Sequence, residues 1–148
     1  MHYLSTTLHL TTTQPIELVD ITPLVKQFID SSHLQQGLLT IMSRHTTACI
    51  NINEHEEQLI QDMLEFLSTW VPRHRPYQHN AIDDRGNAHS HLMALCMNAS
   101  QTLPLINGQL VLGTWQSIFF VELDGPRSSR QVVLHLMGAK NRINRHAG

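Results

Sequence analysis

Residues 45–53 read HTTACININ, and this stretch decides the fold class. Side chains alternate between the two faces of a β-strand, so the segment divides into two sets. The mainly apolar set comprises Thr46, Ala48, Ile50 and Ile52. The mainly polar set comprises His45, Thr47, Cys49, Asn51 and Asn53. The pattern predicts a strand with one face in the core and the other either exposed to solvent or forming the wall of a site.

The segments around this strand carry the signals of helices. Asn53 and Glu56 match a capping box at the start of a helix over 54–70. Apolar residues recur in that helix at helical spacing, and they comprise Leu59, Met63, Phe66, Leu67 and Trp70. Two further helices are expected over 22–32 and 88–99, since each region begins with a capping residue.

The other regular segments are rich in β-branched and apolar residues and have the length of strands. They comprise residues 3–12, 15–19, 38–43, 102–106, 110–112, 115–123 and 131–137. This order predicts a single-domain α+β fold, with β-sandwich-like mixed sheets and two or three helices. Residues 118–121 are apolar on both faces, which is typical of a strand buried on both sides. So few helices cannot cover such strands, and we expect copies of the chain to associate through a sheet face.

The composition excludes several classes of protein. The length of 148 residues indicates one domain, expected over 1–138, with a polar and basic tail over 139–148. The net charge of −2 gives no reason to expect a nucleic-acid partner. No apolar run reaches the roughly 18 residues of a membrane span. The two cysteines, Cys49 and Cys96, lack C-x-x-C spacing. No secretory signal is expected, because the first residues have no cationic segment followed by an apolar one. A reduced, cytoplasmic setting is therefore expected.

Histidine is the unusual residue type, with eleven in the chain. His79 lies in a polar loop, and His89 and His91 follow as an H-x-H pair. On an extended segment the two rings of such a pair point the same way, which suits metal binding. On a helix they lie about 200° apart and only one can join a site. The spacing predicts a histidine metal site, although solvent-facing histidines give the same count.

Five short blocks identify a resemblance. They are SRHTTACININE at 43–54, YQHN at 77–80, NAHSHL at 87–92, GTWQ at 113–116 and DGPR at 124–127. In this order they resemble the YjbQ-like family, whose members are often described as secondary thiamine-phosphate synthases. The resemblance runs over nearly the whole chain up to Gly138.

The resemblance implies a trimer around a threefold axis and a polar cleft that holds a metal or an anion. The positions that match the recurring polar residues of the family are His45, Glu54, His79 and His91. His89 matches many members but not all. It also implies an enzyme that acts on a phosphorylated or diphosphate small molecule, with weak thiamine-phosphate synthase activity as the named case.

Thiamine phosphate forms when a thiazole phosphate displaces pyrophosphate from a pyrimidine diphosphate, which requires positive charge on the leaving group. His79 and His91 can hold a divalent cation, with His89, His45 or Asp62 as further ligands. Zinc suits imidazole, whereas magnesium prefers more carboxylates. The candidate catalytic residues are His45, Glu54 and Asp62. The candidate ligand-binding and phosphate-binding residues are Arg44, Thr46, Thr47, Asn53, Trp115, Gln116 and Arg127.

Purely structural explanations of these residues compete with the functional roles. Glu54 can simply compensate the positive end of a helix, and Trp115 can be a core residue. At the level of the whole protein, two alternatives to an enzyme remain. One is a non-catalytic trimeric module that binds a metal or small ligand. The other is a structural or regulatory trimer whose histidines line an interface.

Overall fold

The computed structural model describes residues 1–140. Within them the chain forms eight strands, three α-helices and one 3-10 turn. The strands are β1 (His2–Thr12), β2 (Glu17–Asp20), β3 (Gln36–Ser43), β4 (Ala48–Glu54), β5 (Ser100–Ile106), β6 (Gln109–Leu110), β7 (Gln116–Glu122) and β8 (Arg127–Ala139). The helices are α1 (Thr22–Ser32), α2 (Glu57–Trp70) and α3 (Ala88–Leu95), and the 3-10 turn is His79–Ala81.

The strands form two antiparallel sheets. One has five strands in the order β1-β8-β3-β5-β6, and the other has three in the order β2-β7-β4. β8 is long enough to pair with β1 along one edge and with β3 along the other. The predicted α+β class is confirmed. Helices α2 and α3 pack on the smaller sheet, and α1 joins the core cluster that both sheets share.

The three-stranded sheet is buried on both faces. On one face Ile50 and Phe120 join a core cluster with the five-stranded sheet and α1. On the other face Cys49 and Phe119 join a second cluster beneath α2 and α3. The apolar stretch 118–121 is therefore buried on both sides, as its sequence predicts.

The polar face expected for residues 45–53 is not a continuous strand face. β4 begins only at Ala48, so His45 and Thr47 precede the strand. Cys49 is buried under the helices, and burial raises the pKa of its thiol to about 11. The alternation described the apolar face correctly, but the packing of two helices on the other face could not be read from it.

Helix α2 begins later than predicted, because β4 extends through Glu54. The cap is Glu56, whose carboxylate accepts hydrogen bonds from the backbone N–H groups of Gln58 and Leu59. The predicted cap at Asn53 is therefore wrong. Of the apolar stripe only Leu67 is buried, while the exposed rings of Phe66 and Trp70 stack on each other.

The outer face of the five-stranded sheet has no helix over it among residues 1–140. Its exposed apolar side chains are Tyr3, Leu38, Met42 and Ile106. The predicted tail contributes Ala139 to the end of β8, and residues 141–148 lie outside the described part of the chain. None of the helices formed by residues 1–140 is long and apolar enough to cross a membrane.

Candidate functional site

A cavity of about 630 Å³ lies between the β3–β4 connection and α3. Arg44, His45 and Thr46 line it from the connection, and His91 lines it from α3. Small and apolar residues complete the wall, including Ala48, Ala94 and Leu95. None of the described residues around this cavity is acidic. The cavity therefore combines an apolar floor with a few hydrogen-bond donors and the positive charge of Arg44, which can pair with an anionic group.

His45 is held in one state by its surroundings. Its Nε2 accepts a hydrogen bond of 2.8 Å from the backbone N–H of Gln131. Burial, and then the charge of Arg130, lowers the pKa of His45 below its ordinary value. A neutral ring that accepts at Nε2 carries its proton on Nδ1. His45 can therefore donate to an anion through Nδ1, but neither ring nitrogen has a free lone pair for a metal.

A buried ion pair supports this corner of the molecule, and sequence reasoning missed it. Glu122 is fully buried at the end of β7, and Arg130 is 5% exposed on β8. The Nε of Arg130 donates to Oε2 of Glu122 at 2.7 Å, and its Nη2 donates to Oε1. The only sequence signal for this ion pair was a carboxylate directly after the apolar run 118–121.

Glu122 also accepts from three other donors. These are the Thr12 hydroxyl at 2.9 Å and the backbone N–H groups of Leu123 and Asp124. Burial opposes ionisation, but the hydrogen bonds, led by that of Arg130, hold the pKa of Glu122 below its ordinary value. Arg130 donates further to the hydroxyl of Thr47 at 3.1 Å. Thr47 thus belongs to this buried network and is not available to a ligand, whereas its exposed neighbour Thr46 lines the cavity.

A second, smaller cavity of about 310 Å³ lies on another side of His91. Here His91 meets His79, with 5.1 Å between ring centroids and the two rings nearly perpendicular. Tyr77 and Leu92 complete much of the wall. His91 lines both cavities, so it lies between His45 at the first and His79 at the second, and neither of these two cavities is lined by all three of these histidines.

A chain of polar contacts runs from His79 to Arg127. Nε2 of His79 lies 3.2 Å from Oδ1 of Asn87. Nδ2 of Asn87 donates to Asp124 at 2.8 Å, and Nη2 of Arg127 donates to the same carboxylate at 2.8 Å. Arg127, expected to bind phosphate, is therefore already paired within the chain.

His89 does not join His79 and His91. Because α3 begins at Ala88, residues 89 and 91 are both helical and their side chains point to opposite sides. His89 lines a different cavity of about 620 Å³ beneath α2. Its Nδ1 is buried and has no hydrogen-bond partner among the described residues.

The remaining predicted residues lie at the far end of the three-stranded sheet. Glu54 pairs with Gln116 there, whereas Ala48 pairs with Glu122 near His45. Six residue steps separate the two positions on β4, which is about 20 Å. Asn53 and Trp115 also lie at the far end, and Trp115 is 72% exposed, so it is not a core residue.

The predicted catalytic set is not assembled within one chain. Glu54 is far from His45 along β4, and Asp62 lies on the exposed side of α2. Across residues 1–140 no three histidine, cysteine or acidic side chains are grouped so that they can hold a metal ion. His79 and His91 form a pair only.

Comparison with known proteins shows which protein family this chain is similar to. Residues 6–139 match the model of the family described as UPF0047 protein YjbQ-like. The chain belongs to this family. A UPF0047 protein of Methanothermobacter thermautotrophicus is 50% identical to this YjbQ-like chain over 123 residues, which cover 83% of the chain and 85% of the relative. The UPF0047 protein YugU of Bacillus subtilis is 37% identical over 89% of the chain and 98% of its own length.

Solved structures agree with the YjbQ-like fold. A YbjQ-like protein of unknown function from Sulfolobus solfataricus superposes with a TM-score of 0.88. It is 40% identical in sequence, and the alignment covers 93% of this chain and 98% of that one. A protein of the YjbQ/UPF0047 family from Clostridium acetobutylicum has a TM-score of 0.82 at 38% identity, over 89% and 99% of the two chains. The resemblance expected from the five sequence blocks is confirmed.

Proposed function

We propose that this protein is an enzyme that acts on a phosphorylated or diphosphate small molecule. The observation that carries the proposal is the contact between His79 and His91 beside the cavity that Arg44 lines. Weak thiamine-phosphate synthase activity is the specific case that we put forward. We place the activity in the cytoplasm, where thiols such as the exposed Cys96 stay reduced.

The first cavity supports binding of the phosphorylated part of the substrate. Arg44 and the Nδ1–H of His45 supply donors, and Thr46 adds a hydroxyl. Arg44 is steadied by a hydrogen bond of 2.7 Å from its Nη1 to the side-chain oxygen of Gln131. Guanidinium and phosphate form strong charge-assisted hydrogen bonds. The apolar wall suits the body of a heteroaromatic molecule.

The two histidines in contact support proton transfer. Imidazole exchanges a proton near neutral pH, so one ring of the pair can accept a proton and pass it to the other ring. His91 lies at the boundary of the two cavities, which puts it beside a substrate in either one. We assign the reacting role to His91 and the supporting role to His79.

A divalent metal, most suitably zinc, is the alternative use of this pair, because a ring nitrogen that binds a metal cannot also accept a proton. Imidazole is a preferred zinc ligand, and His79 and His91 fit half of a four-ligand shell. Phosphate oxygens of the substrate or side chains of a second copy must supply the rest. Such a metal would neutralise the charge of a leaving diphosphate.

We also propose that the protein works as a homo-oligomer, in particular a trimer. The uncovered outer face of the five-stranded sheet and the exposed rings of Phe66 and Trp70 support this. Assembly can bring Glu54 and Trp115 of one copy to the cavity of another. The molecular mass measured by light scattering after gel filtration tests the assembly, and a mass of one chain at micromolar concentration would reject it.

The test of the function is substitution of each histidine of the pair. Purified wild type, His79→Ala and His91→Ala are assayed for pyrophosphate release from the thiazole phosphate and pyrimidine diphosphate. We expect each variant to lose about 100-fold or more in kcat/KM, the usual contribution of a positioned acid or base. His74→Ala, in the same loop but exposed, is the matched control. Unchanged turnover in correctly folded His79→Ala and His91→Ala would reject the enzyme hypothesis in this form.

A non-catalytic module that binds a metal or small ligand is the second candidate. The lining of the first cavity favours it, because none of the described residues there is acidic and could act as a carboxylate base. Calorimetry with phosphate esters and with zinc, together with the turnover assay, separates the candidates. Binding that Arg44→Ala abolishes, without conversion of any ester or diphosphate, would support the binding module.

A further inference from the structure

The hydrogen bonds around Asn87 explain two sequence blocks that the proposed function leaves without a role. Asn87 opens the block NAHSHL, and Asp124 and Arg127 bound the block DGPR. The two blocks are far apart in sequence, and Asn87 joins them in space through its bond to Asp124. Asn87 is 1% exposed, so its side chain is enclosed by protein.

The carboxylate of Asp124 determines which way the Asn87 amide faces. An ionised carboxylate only accepts hydrogen bonds, so the group that Asn87 presents to it must be the NH₂. Arg127 donates to the same oxygen, so Asp124 accepts from two side chains at this point. The carbonyl oxygen of Asn87 must therefore face His79.

The orientation of Asn87 in turn determines the state of His79. A carbonyl oxygen only accepts, so Nε2 of His79 must be the donor across the 3.2 Å contact. A neutral imidazole with a proton on Nε2 has its lone pair on Nδ1. The contact thereby selects one of the two tautomers.

We infer that Asn87, Asp124 and Arg127 form a positioning chain that holds His79 as the Nε2–H tautomer, so that Nδ1 is its working nitrogen. The inference rests on the proposed function only for the role of Nδ1. In that role Nδ1 accepts a proton, from His91 or from a substrate, or it binds a metal. Arg127 is thus a positioning residue three groups away from the imidazole and not a phosphate ligand.

Asp83 is the competing partner of His79. Its Oδ2 lies 3.7 Å from Nε2, which is beyond hydrogen-bond distance. The same carboxylate accepts from Arg85 at 2.6 Å and 3.0 Å, so it is already paired. Substitutions of Asp124 and Asp83 should therefore differ in their effect on the His79 tautomer, because only Asp124 acts through Asn87.

The experiment reads the tautomer directly by long-range ¹H–¹⁵N correlation in full-length protein labelled with ¹⁵N-histidine, without substrate. Comparison with His79→Gln assigns the signals. In wild type we expect the Nε2 of His79 to be protonated and its Nδ1 to be unprotonated. Asp124→Asn should mix the two tautomers, because an amide lets Asn87 turn either way, while Asp83→Asn should leave the wild-type pattern.

Turnover gives the second readout. We expect Asp124→Asn to lower kcat about tenfold with KM nearly unchanged, since the chain orders His79 and does not touch substrate. A wild-type spectrum with the proton on Nδ1, or a pattern that changes in Asp83→Asn but not in Asp124→Asn, would overturn the inference. The spectrum needs no activity, so it distinguishes failure of the positioning chain from failure of the proposed enzyme. The wild-type spectrum alone decides the tautomer if Asp124→Asn does not fold.

Discussion

Each end of the three-stranded sheet carries a glutamate, and the two glutamates differ in burial and in hydrogen bonding. At one end, which we call the His45 end, Glu122 is buried and accepts five hydrogen bonds. At the other, the Glu54 end, Trp115 is exposed to solvent in a single chain and Glu54 is half-buried. The comparison teaches that the cavity at the His45 end is preorganised within one chain, whereas the Glu54 end becomes a site only if another molecule covers it.

The largest expected effect separates the two glutamates. Glu122→Gln leaves the guanidinium of Arg130 buried without a compensating charge, and we expect it to lower the free energy of unfolding by about 3–5 kcal/mol. Glu54→Gln, the matched change at the Glu54 end, should stay within about 0.5 kcal/mol of wild type. Urea denaturation of both variants at neutral pH measures the difference. A cost for Glu122→Gln below about 1 kcal/mol would contradict the structural role of the ion pair.

A smaller effect separates two adjacent threonines at the His45 end. Thr47→Val keeps the shape of the side chain but removes the acceptor that Arg130 uses, so it should cost about 1–3 kcal/mol of unfolding free energy. Thr46→Val changes an exposed side chain at the cavity and should stay within about 0.5 kcal/mol. If Thr46 binds phosphate, its substitution weakens ligand binding instead. Equal stabilities of the two variants would show that Thr47 is not part of the buried network.

The smallest of the three effects concerns pH. The folded protein lowers the pKa of His45 below its ordinary value of 6.5, chiefly through burial. The unfolded chain then binds a proton more readily than the folded one, so stability decreases as pH falls below about 6.5 and is retained above it. Protonation would also turn Nε2 from an acceptor into a donor facing the N–H of Gln131.

His45→Gln tests this dependence, since glutamine does not titrate. The loss of unfolding free energy between pH 7.5 and pH 5.5 should be smaller in His45→Gln than in wild type. His74→Gln, at an exposed position, should lose as much as wild type. A drop of the same size in all three proteins would mean that other groups cause the acid sensitivity.

Comparison of sequence and structure shows which site features local patterns encode. Residue type and spacing pointed to His79 with His89 and His91, and the family resemblance singled out His79 and His91, whose rings are in contact in the structure. Whether His89 joins the site depends on where α3 begins. A helix that starts at Ala88 directs the side chain of His89 away from that of His91. Sequence signals locate a helix start only to within a few residues, so this question stayed open.

The ion pair between Glu122 and Arg130 shows what local patterns do not encode. Each residue lies on a strand of ordinary composition, and the two strands belong to different sheets. Their side chains meet only because the turn between β7 and β8 joins the sheets at this corner. Thr12 and Thr47, from distant parts of the chain, complete the network.

The sequence alone determined the alternation of apolar residues, the order of strands and helices, the α+β class and the family. These depend on periodicity and turn chemistry, which act over a few neighbouring residues. The tertiary structure decided which polar groups line a cavity and which are enclosed in bonds inside the chain. It paired Thr47 and Arg127 inside the chain and left Arg44 and His91 at a cavity. Which groups are bonded depends on hydrogen-bond partners that are distant in sequence. A buried polar group needs a donor or acceptor, and the fold determines which residue supplies it.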